Sequence, residues 1–433
     1  MNSKIIQAGE PETTGRYIVT FREGGHADGL AALKKSAGLT KGKMMSSADF
    51  GATGMDMSQL QSDGGAMFEH LGIALVNIDS SAAGAMALEA GEDSSILAIE
   101  PEGVMYALSE LPGLSVDYLR GFRDAAQSLY ASASQGRIDE FGADIESIFA
   151  DTAALTWGLQ ATKAGVSKFS GQGISLAILD TGLFLAHPDF AGRQIISKSF
   201  IPGVATANDG HGHGTHCTGT SCGALKPTVG PRYGIAHKAL IHVGKVLSDQ
   251  GSGGDGGILA GIEWAITNKC HIISMSLGAD VRTTTVAYET AGQRAMNAGT
   301  LIVAAASNNA NRAAGDFGFV GRPANSRTFI AVGAVDNRLR IAPFSPRDTT
   351  RAAGTAVDIA GPGVDVYSAW PMPTRNRSID GTSMATPHVA GIAALWAQAT
   401  GARGAALWQQ LIANARGLAL PGTDVGRGLV QAP

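Results

Sequence analysis

Ile174-Ser175-Leu176-Ala177-Ile178-Leu179-Asp180-Thr181-Gly182 is a continuous apolar run closed by an acid and a glycine. A strand with one wet face alternates apolar and polar residues, whereas this run does not alternate, so it reads as a strand covered on both faces. Working outward, similar runs occupy residues 239–246, 271–277, 301–306 and 329–335. Helical spacing fills the intervals at residues 258–267, 285–298 and 384–399. Buried strands alternating with helices predict an α/β domain built on a doubly wound, mostly parallel sheet over residues 151–433. In such sheets reactive groups gather at the carboxyl ends of the strands. Asp180 stands at such an end, where a carboxylate is costly unless it is hydrogen-bonded or faces a site.

The chain has 433 residues, room for two or three domains at roughly 150 residues each. Its 44% hydrophobic and 16% charged content exclude a disordered chain. A net charge of −4 gives no electrostatic case for binding nucleic acid or an anionic membrane. No apolar stretch approaches the roughly 18 residues of a membrane-spanning helix. The opening residues lack the apolar core of a Sec signal, so the expectation is a cytoplasmic protein or one exported by a non-Sec route. Cys217, Cys222 and Cys270 are too few, and odd in number, for a disulfide scaffold.

Ahead of the α/β domain, residues 1–15 read as a polar tail. Strands are expected at residues 17–21, 72–78, 96–99 and 104–106, with helices at 26–37 and 80–90. Two β-α-β halves in so short a span predict a small ferredoxin-like α+β domain over residues 16–108. Val116, Leu119, Phe122, Ala126 and Leu129 then recur at helical spacing, so residues 109–150 read as a helical linker.

Three segments carry chemistry: Asp180-Thr181-Gly182, Asp209-Gly210-His211-Gly212-His213-Gly214-Thr215-His216-Cys217, and Asp380-Gly381-Thr382-Ser383-Met384-Ala385-Thr386-Pro387-His388. Ser383 opens an apolar helix, where free backbone N–H groups favour a developing oxyanion, and Pro387 is expected in the first turn. A serine hydroxyl needs a base, and the base needs a carboxylate to orient it. Asp, His and Ser on separate elements meet that need. His211, His213 and His216 could instead hold zinc, but that requires three converging ligands and an open position. Cys217, Cys222 and Cys270 read as buried thiols, and His216 as a structural histidine.

The chain order Asp180, His213, Ser383 and the run Gly381-Thr382-Ser383-Met384-Ala385-Thr386-Pro387-His388-Val389-Ala390-Gly391 resemble the subtilisin family of serine proteases. Cys217 and the run Asp358-Ile359-Ala360-Gly361-Pro362-Gly363 look most like its proteinase K branch. The resemblance implies a serine endopeptidase in which Ser383 is the nucleophile, His213 the general base and acid, Asp180 its orienting carboxylate and Asn308 an oxyanion donor. It implies that Gly251, Ser252, Gly253 and Ser276, Leu277, Gly278 sandwich an extended peptide substrate. It also implies that Ala304, Ala305 and Ala306 wall a roomy S1 pocket for an apolar or aromatic residue.

Where the family has glycine, this chain has Ser307. The front domain resembles the family's inhibitory propeptide, which makes the partners protein or peptide substrates and the chain's own propeptide, in a monomer. No cofactor is implied for the chemistry; Asp358 reads either as a structural calcium ligand with the carbonyls of Pro323 and Asn325, as the resemblance implies, or as the cap of a turn before Gly361-Pro362. A transpeptidase on the same fold and a permanently latent complex are the alternatives, separated by product mass and by labelling with a fluorophosphonate.

Overall fold

The computed structural model describes residues 12–37, 44–60, 64–90, 94–108, 149–347 and 356–433. The linker helices expected at 109–150 fall almost wholly outside these residues. The front unit runs β1 (Thr13–Phe21), α1 (His26–Ala37), β2 (Met44–Ser46), β3 (Gly65–Phe68), β4 (Ile73–Val76), α2 (Ser80–Glu89) and β5 (Ile96–Ala107). The two short strands expected at 96–99 and 104–106 are one strand, continuous through Pro101. The order β5-β1-β4-β3-β2 is antiparallel except for the short β2–β3 pair.

The larger unit contains α3 (Trp157–Ala161), β6 (Ser175–Asp180), β7 (Ile195–Ser199), α4 (His213–Cys222), β8 (Leu240–Lys245), β9 (Ser252–Gly254) and α5 (Asp255–Thr267). It continues through β10 (Ile272–Met275), β11 (Leu277–Gly278), α6 (Val286–Asn297), β12 (Leu301–Ala305), β13 (Ile330–Val335) and β14 (Ile359–Pro362). A hairpin, β15 (Val366–Ala369) and β16 (Asn376–Ile379), leads into α7 (Thr382–Thr400) and α8 (Gly404–Ala413). The main sheet has the order β14-β13-β12-β10-β6-β8-β7, with every pair parallel.

The period of two in β6 explains why its sequence is apolar throughout. Leu176 and Ile178 enter the core on the side of α4 and α7, beside Cys217, Val389 and Ala390. Ala177 and Leu179 enter the opposite core beneath α5 and α6, beside Ile262, Trp264 and Ala291. Strand order reverses at β6, which has β8 on one side and β10 on the other. That is a topological switch point, and it puts the carboxyl end of β6 at a crevice.

The front sheet is also covered twice. Val19, Phe21, Ala74 and Val76 pack on its own helices. Ile18, Phe68, Ile73, Leu75 and Met105 share the core of α5 and α6. Burying each of these large side chains contributes roughly 1.5–3 kcal/mol as an upper figure, so apolar contact dominates the junction of the two units.

Candidate active site

Asp180 ends β6, His213 opens α4 and Ser383 is the second residue of α7, and all three are fully buried. His213 Nδ1 lies 2.7 Å from Asp180 Oδ1. Burial disfavours the imidazolium, but the Asp180 charge outweighs it and holds His213 well above the ordinary histidine value. With Nδ1 bound to the acid, Nε2 points away from it and, among the described residues, has no hydrogen-bond partner. The Ser383 hydroxyl donates instead to the Ser276 carbonyl at 3.2 Å.

Pro387 lies in the second turn of α7, not the first as expected. It has no N–H, so the Ser383 carbonyl loses its i→i−4 donor. Ser276 Oγ at 2.8 Å and the Cys217 thiol at 3.6 Å donate to that carbonyl instead. The proline thereby ties the first turn of α7 to the 276–278 segment and to α4.

Asn308 follows β12. Its Oδ1 accepts from Thr382 N and Thr382 Oγ1, both at 2.9 Å, which fixes the amide orientation. Its Nδ2 donates to the carbonyl of Leu108, the last described residue of the front unit. Gly381 has φ +150, and a Cβ there would stand 2.9 Å from that same carbonyl oxygen, so the glycine permits the approach.

The chain preceding Leu108 forms a strand in the crevice. Ala107 and Tyr106 pair antiparallel with Leu277 and Gly278. On the other side Tyr106, Met105 and Val104 pair with Ser252, Gly253 and Gly254. Ala107 N donates to the Gly251 carbonyl at 2.9 Å. Gly251, Ser252, Gly253, Leu277 and Gly278 thus hold an extended segment between them, while Ser276 is bonded to Ser383 itself. Ala304, Ala305 and Ala306 are buried. Ala304 and Ala306 pack in the cluster that holds Leu277 and Met105.

A model of the subtilase family matches residues 171–428. The chain belongs to the subtilase family. Over 311 residues it is 36% identical to M-protease of Shouchella clausii (strain KSM-K16), covering 71% of this chain and 76% of that protein. Subtilisin DY of Bacillus licheniformis is 39% identical over 237 residues, 55% of this chain and 81% of the relative. Subtilisin Savinase of Lederbergia lenta is 40% identical over 245 residues, 56% and 84% of the two chains. The protein is a subtilisin-like serine endopeptidase acting on proteins or peptides, and subtilases need no cofactor for that hydrolysis.

Other residues of this subtilase fall into place around the crevice. The three histidines do not converge on one point. His216 Nε2 donates to the Val366 and Arg377 carbonyls at 2.9 and 3.1 Å, and burial pushes its pKa down to about 3. Among the described residues the grouping with metal-ligand atoms is Asp180, His213 and Cys217, with Cys217 Sγ 4.0 Å from His213 Nδ1. Burial pushes the Cys217 thiol up. Ser307 adopts φ +104, a conformation that suits glycine, and its buried hydroxyl has no partner among the described residues.

Sequence reasoning missed Thr382 as the orienter of Asn308 and Leu108 as the occupant of its amide. Thr382 lay in plain view inside the serine motif. Leu108 carries no signal in the sequence.

Proposed function

We propose that Ser383 is the nucleophile of this endopeptidase. Its hydroxyl, turned toward His213, gives its proton to Nε2 as Oγ bonds to the peptide carbonyl carbon. Asp180 holds the ring and stabilises the imidazolium. The Asn308 amide and the Ser383 N–H receive the oxyanion. Collapse breaks the C–N bond, His213 returns the proton to the leaving amine, and water releases the acyl group by the same sequence. The observation that carries this reading is the Leu108 carbonyl on the Asn308 amide, at the end of a strand paired on both sides of the crevice.

The front unit, which we read as a ferredoxin-like domain, acts in this reading as the chain's own inhibitor within a monomer, and the protein is made as a pro-form. Main-chain pairing with β9 and β11 gives broad specificity, with an apolar preference at the position of Leu108. Ser383→Ala should abolish hydrolysis and leave the full-length chain uncut. Cutting of that variant in the absence of other proteases would refute self-processing, and hydrolysis by it near the parent's rate would refute the nucleophile.

A structural calcium would be held by Asp358 with the carbonyls of Pro323 and Asn325. Asp358 is a half-buried carboxyl that receives the Ala331 N–H at 2.8 Å and has no ion-pair partner among the described residues; desolvation pushes its pKa up to about 7. Such an oxygen donor suits a hard cation. Calcium should raise the thermal midpoint of the full chain, and Asp358→Asn should remove that rise.

A further inference from the structure

Asp209 belongs to the histidine segment yet touches no reacting atom. It is 1% exposed and gathers five hydrogen bonds. Oδ1 accepts from Thr181 Oγ1 at 2.9 Å, His211 N at 3.0 Å and Gly212 N at 2.9 Å. Oδ2 accepts from Thr215 N at 2.9 Å and Thr215 Oγ1 at 2.6 Å.

These contacts solve a problem at the start of α4. A helix leaves its first N–H groups unpaired, and the N-cap side chain ordinarily accepts one of them. Here the N-cap is Gly212, which has no side chain. The Thr215 N–H goes to Asp209 instead, and the Gly214 N–H goes to Thr181 Oγ1 at 2.8 Å. The helix is therefore capped from outside, partly by the residue that follows Asp180.

Thr181 is held at each of its polar groups. Its N–H donates to Asp180 Oδ1 at 2.7 Å, the oxygen that also faces His213. Its carbonyl accepts from the buried Lys245 ammonium, which pairs with Asp249 at 2.6 Å. Asp249 in turn receives the Gly210 N–H at 3.0 Å. The loop before His213 is thus clamped by Asp209 from within and by Asp249 from without.

We propose that Asp209 and Thr181 form one positioning unit that fixes the start of α4 against the end of β6, and so sets the distance between His213 and Asp180. This rests on the roles assigned to His213 and Asp180. Without the clamp the helix start is free to drift, and a displacement of about 1 Å in reacting groups costs on the order of 10²-fold in rate.

The test uses the full chain, incubated until activity is constant, with active sites counted by a fluorophosphonate. Thr181→Val keeps the shape but removes both the bond to Asp209 and the acceptor for Gly214. It should lower kcat per titrated site about 10- to 100-fold with KM little changed. The acidic limb of the pH profile should move down toward the ordinary histidine value near 6.5, because the ring loses its close fit to Asp180. Thr181→Ser retains the hydroxyl and should restore both readings, and Asp209→Asn should resemble Thr181→Val.

Unchanged kcat per site and an unmoved limb in Thr181→Val would overturn the proposal. So would variants at both positions that lose only the number of titratable sites. Activity of His213→Ala near the parent's rate would instead sink the assignment beneath it, so the two failures are distinguishable.

Discussion

Replacing Ser307 by glycine should stabilise this protein. Ser307 has φ +104, a region where a non-glycine residue stores about 1–3 kcal/mol of strain. Its hydroxyl is buried and unpartnered among the described residues, and such a group costs roughly 1–3 kcal/mol in lost hydration. The space it occupies is tight: a Cβ added at Gly321 would lie 2.4 Å from Ser307 Oγ. Glycine removes the strain, the unpaired hydroxyl and the crowding together. Against this stands the larger backbone entropy of glycine in the unfolded chain, about 0.4–1 kcal/mol.

The net expectation is a gain of about 1–3 kcal/mol, allowing for overlap between strain and burial. At about 2–4 °C per kcal/mol for domains of 150–250 residues, and less for longer chains, the midpoint should rise by several degrees. The measurement is thermal unfolding of Ser307→Gly against its parent, both carrying Ser383→Ala so that self-digestion is absent. A midpoint that stays put or falls would show that the backbone at 307 is not strained and that the hydroxyl is satisfied.

Asn308→Ala should lower kcat about 10²–10³-fold with little change in KM, a magnitude known for this donor in a subtilisin; a loss confined to KM would remove Asn308 from the oxyanion. His70 of the front unit lies 2.8 Å from the buried Glu263 of α5, and their hydrogen bond raises the His70 pKa while Glu263 is held low despite its burial. The contribution of His70 is full below its free value near 6.5 and fades as pH rises through its raised value; that of Glu263 is lost as pH falls through its lowered one. On the reading that the front unit is the chain's inhibitor, release of activity from the full chain should therefore quicken with rising pH relative to His70→Gln, and a constant ratio across pH would refute the link. Cys217, Cys222 and Cys270 are 0–1% exposed with thiol pKa values pushed up by burial, so a disulfide reagent should modify none of them until the chain unfolds; fast modification of the native protein would contradict that burial.

The sheet was legible because β6, β8, β10, β12 and β13 are buried on both faces and are therefore mostly apolar. The candidate site was legible because Asp180, His213 and Ser383 sit in long local motifs. Strands with mixed exposure escaped: β7 is Ile195-Ile196-Ser197-Lys198-Ser199, and the hairpin β15–β16 carries Arg377 and Asn376. What pairs across the fold was illegible for a different reason. The positive φ of Ser307 cannot be read from the sequence. That β5 enters the crevice depends on register with β9 and β11, which no local pattern encodes.

The contacts of β5 also bear on why cleavage alone would not free the enzyme, on the reading that the front unit is its inhibitor. Glu100 receives the Val286 and Ala287 N–H groups, both at 3.0 Å, at the start of α6. Glu102 receives Gly256 N at 2.8 Å at the start of α5 and is held by Arg16 at 2.6 Å. Carboxylates placed at helix N-termini gain from the helix dipole as well as from the hydrogen bonds. Asp255 returns the contact by accepting Gly103 N at 2.8 Å, and Glu263 receives Ser47 Oγ and the N–H groups of His70 and Leu71. Every one of these partners precedes Leu108. Breaking the bond after Leu108 therefore cuts the chain but removes none of them, and the severed unit remains a bound product. Release must come from losing the unit's own fold or its charges. Glu102→Ala leaves the Gly256 N–H and Arg16 without their acceptor, and should shorten the lag before activity appears in the full chain; a lag equal to that of the parent would show that the crevice strand alone sustains inhibition.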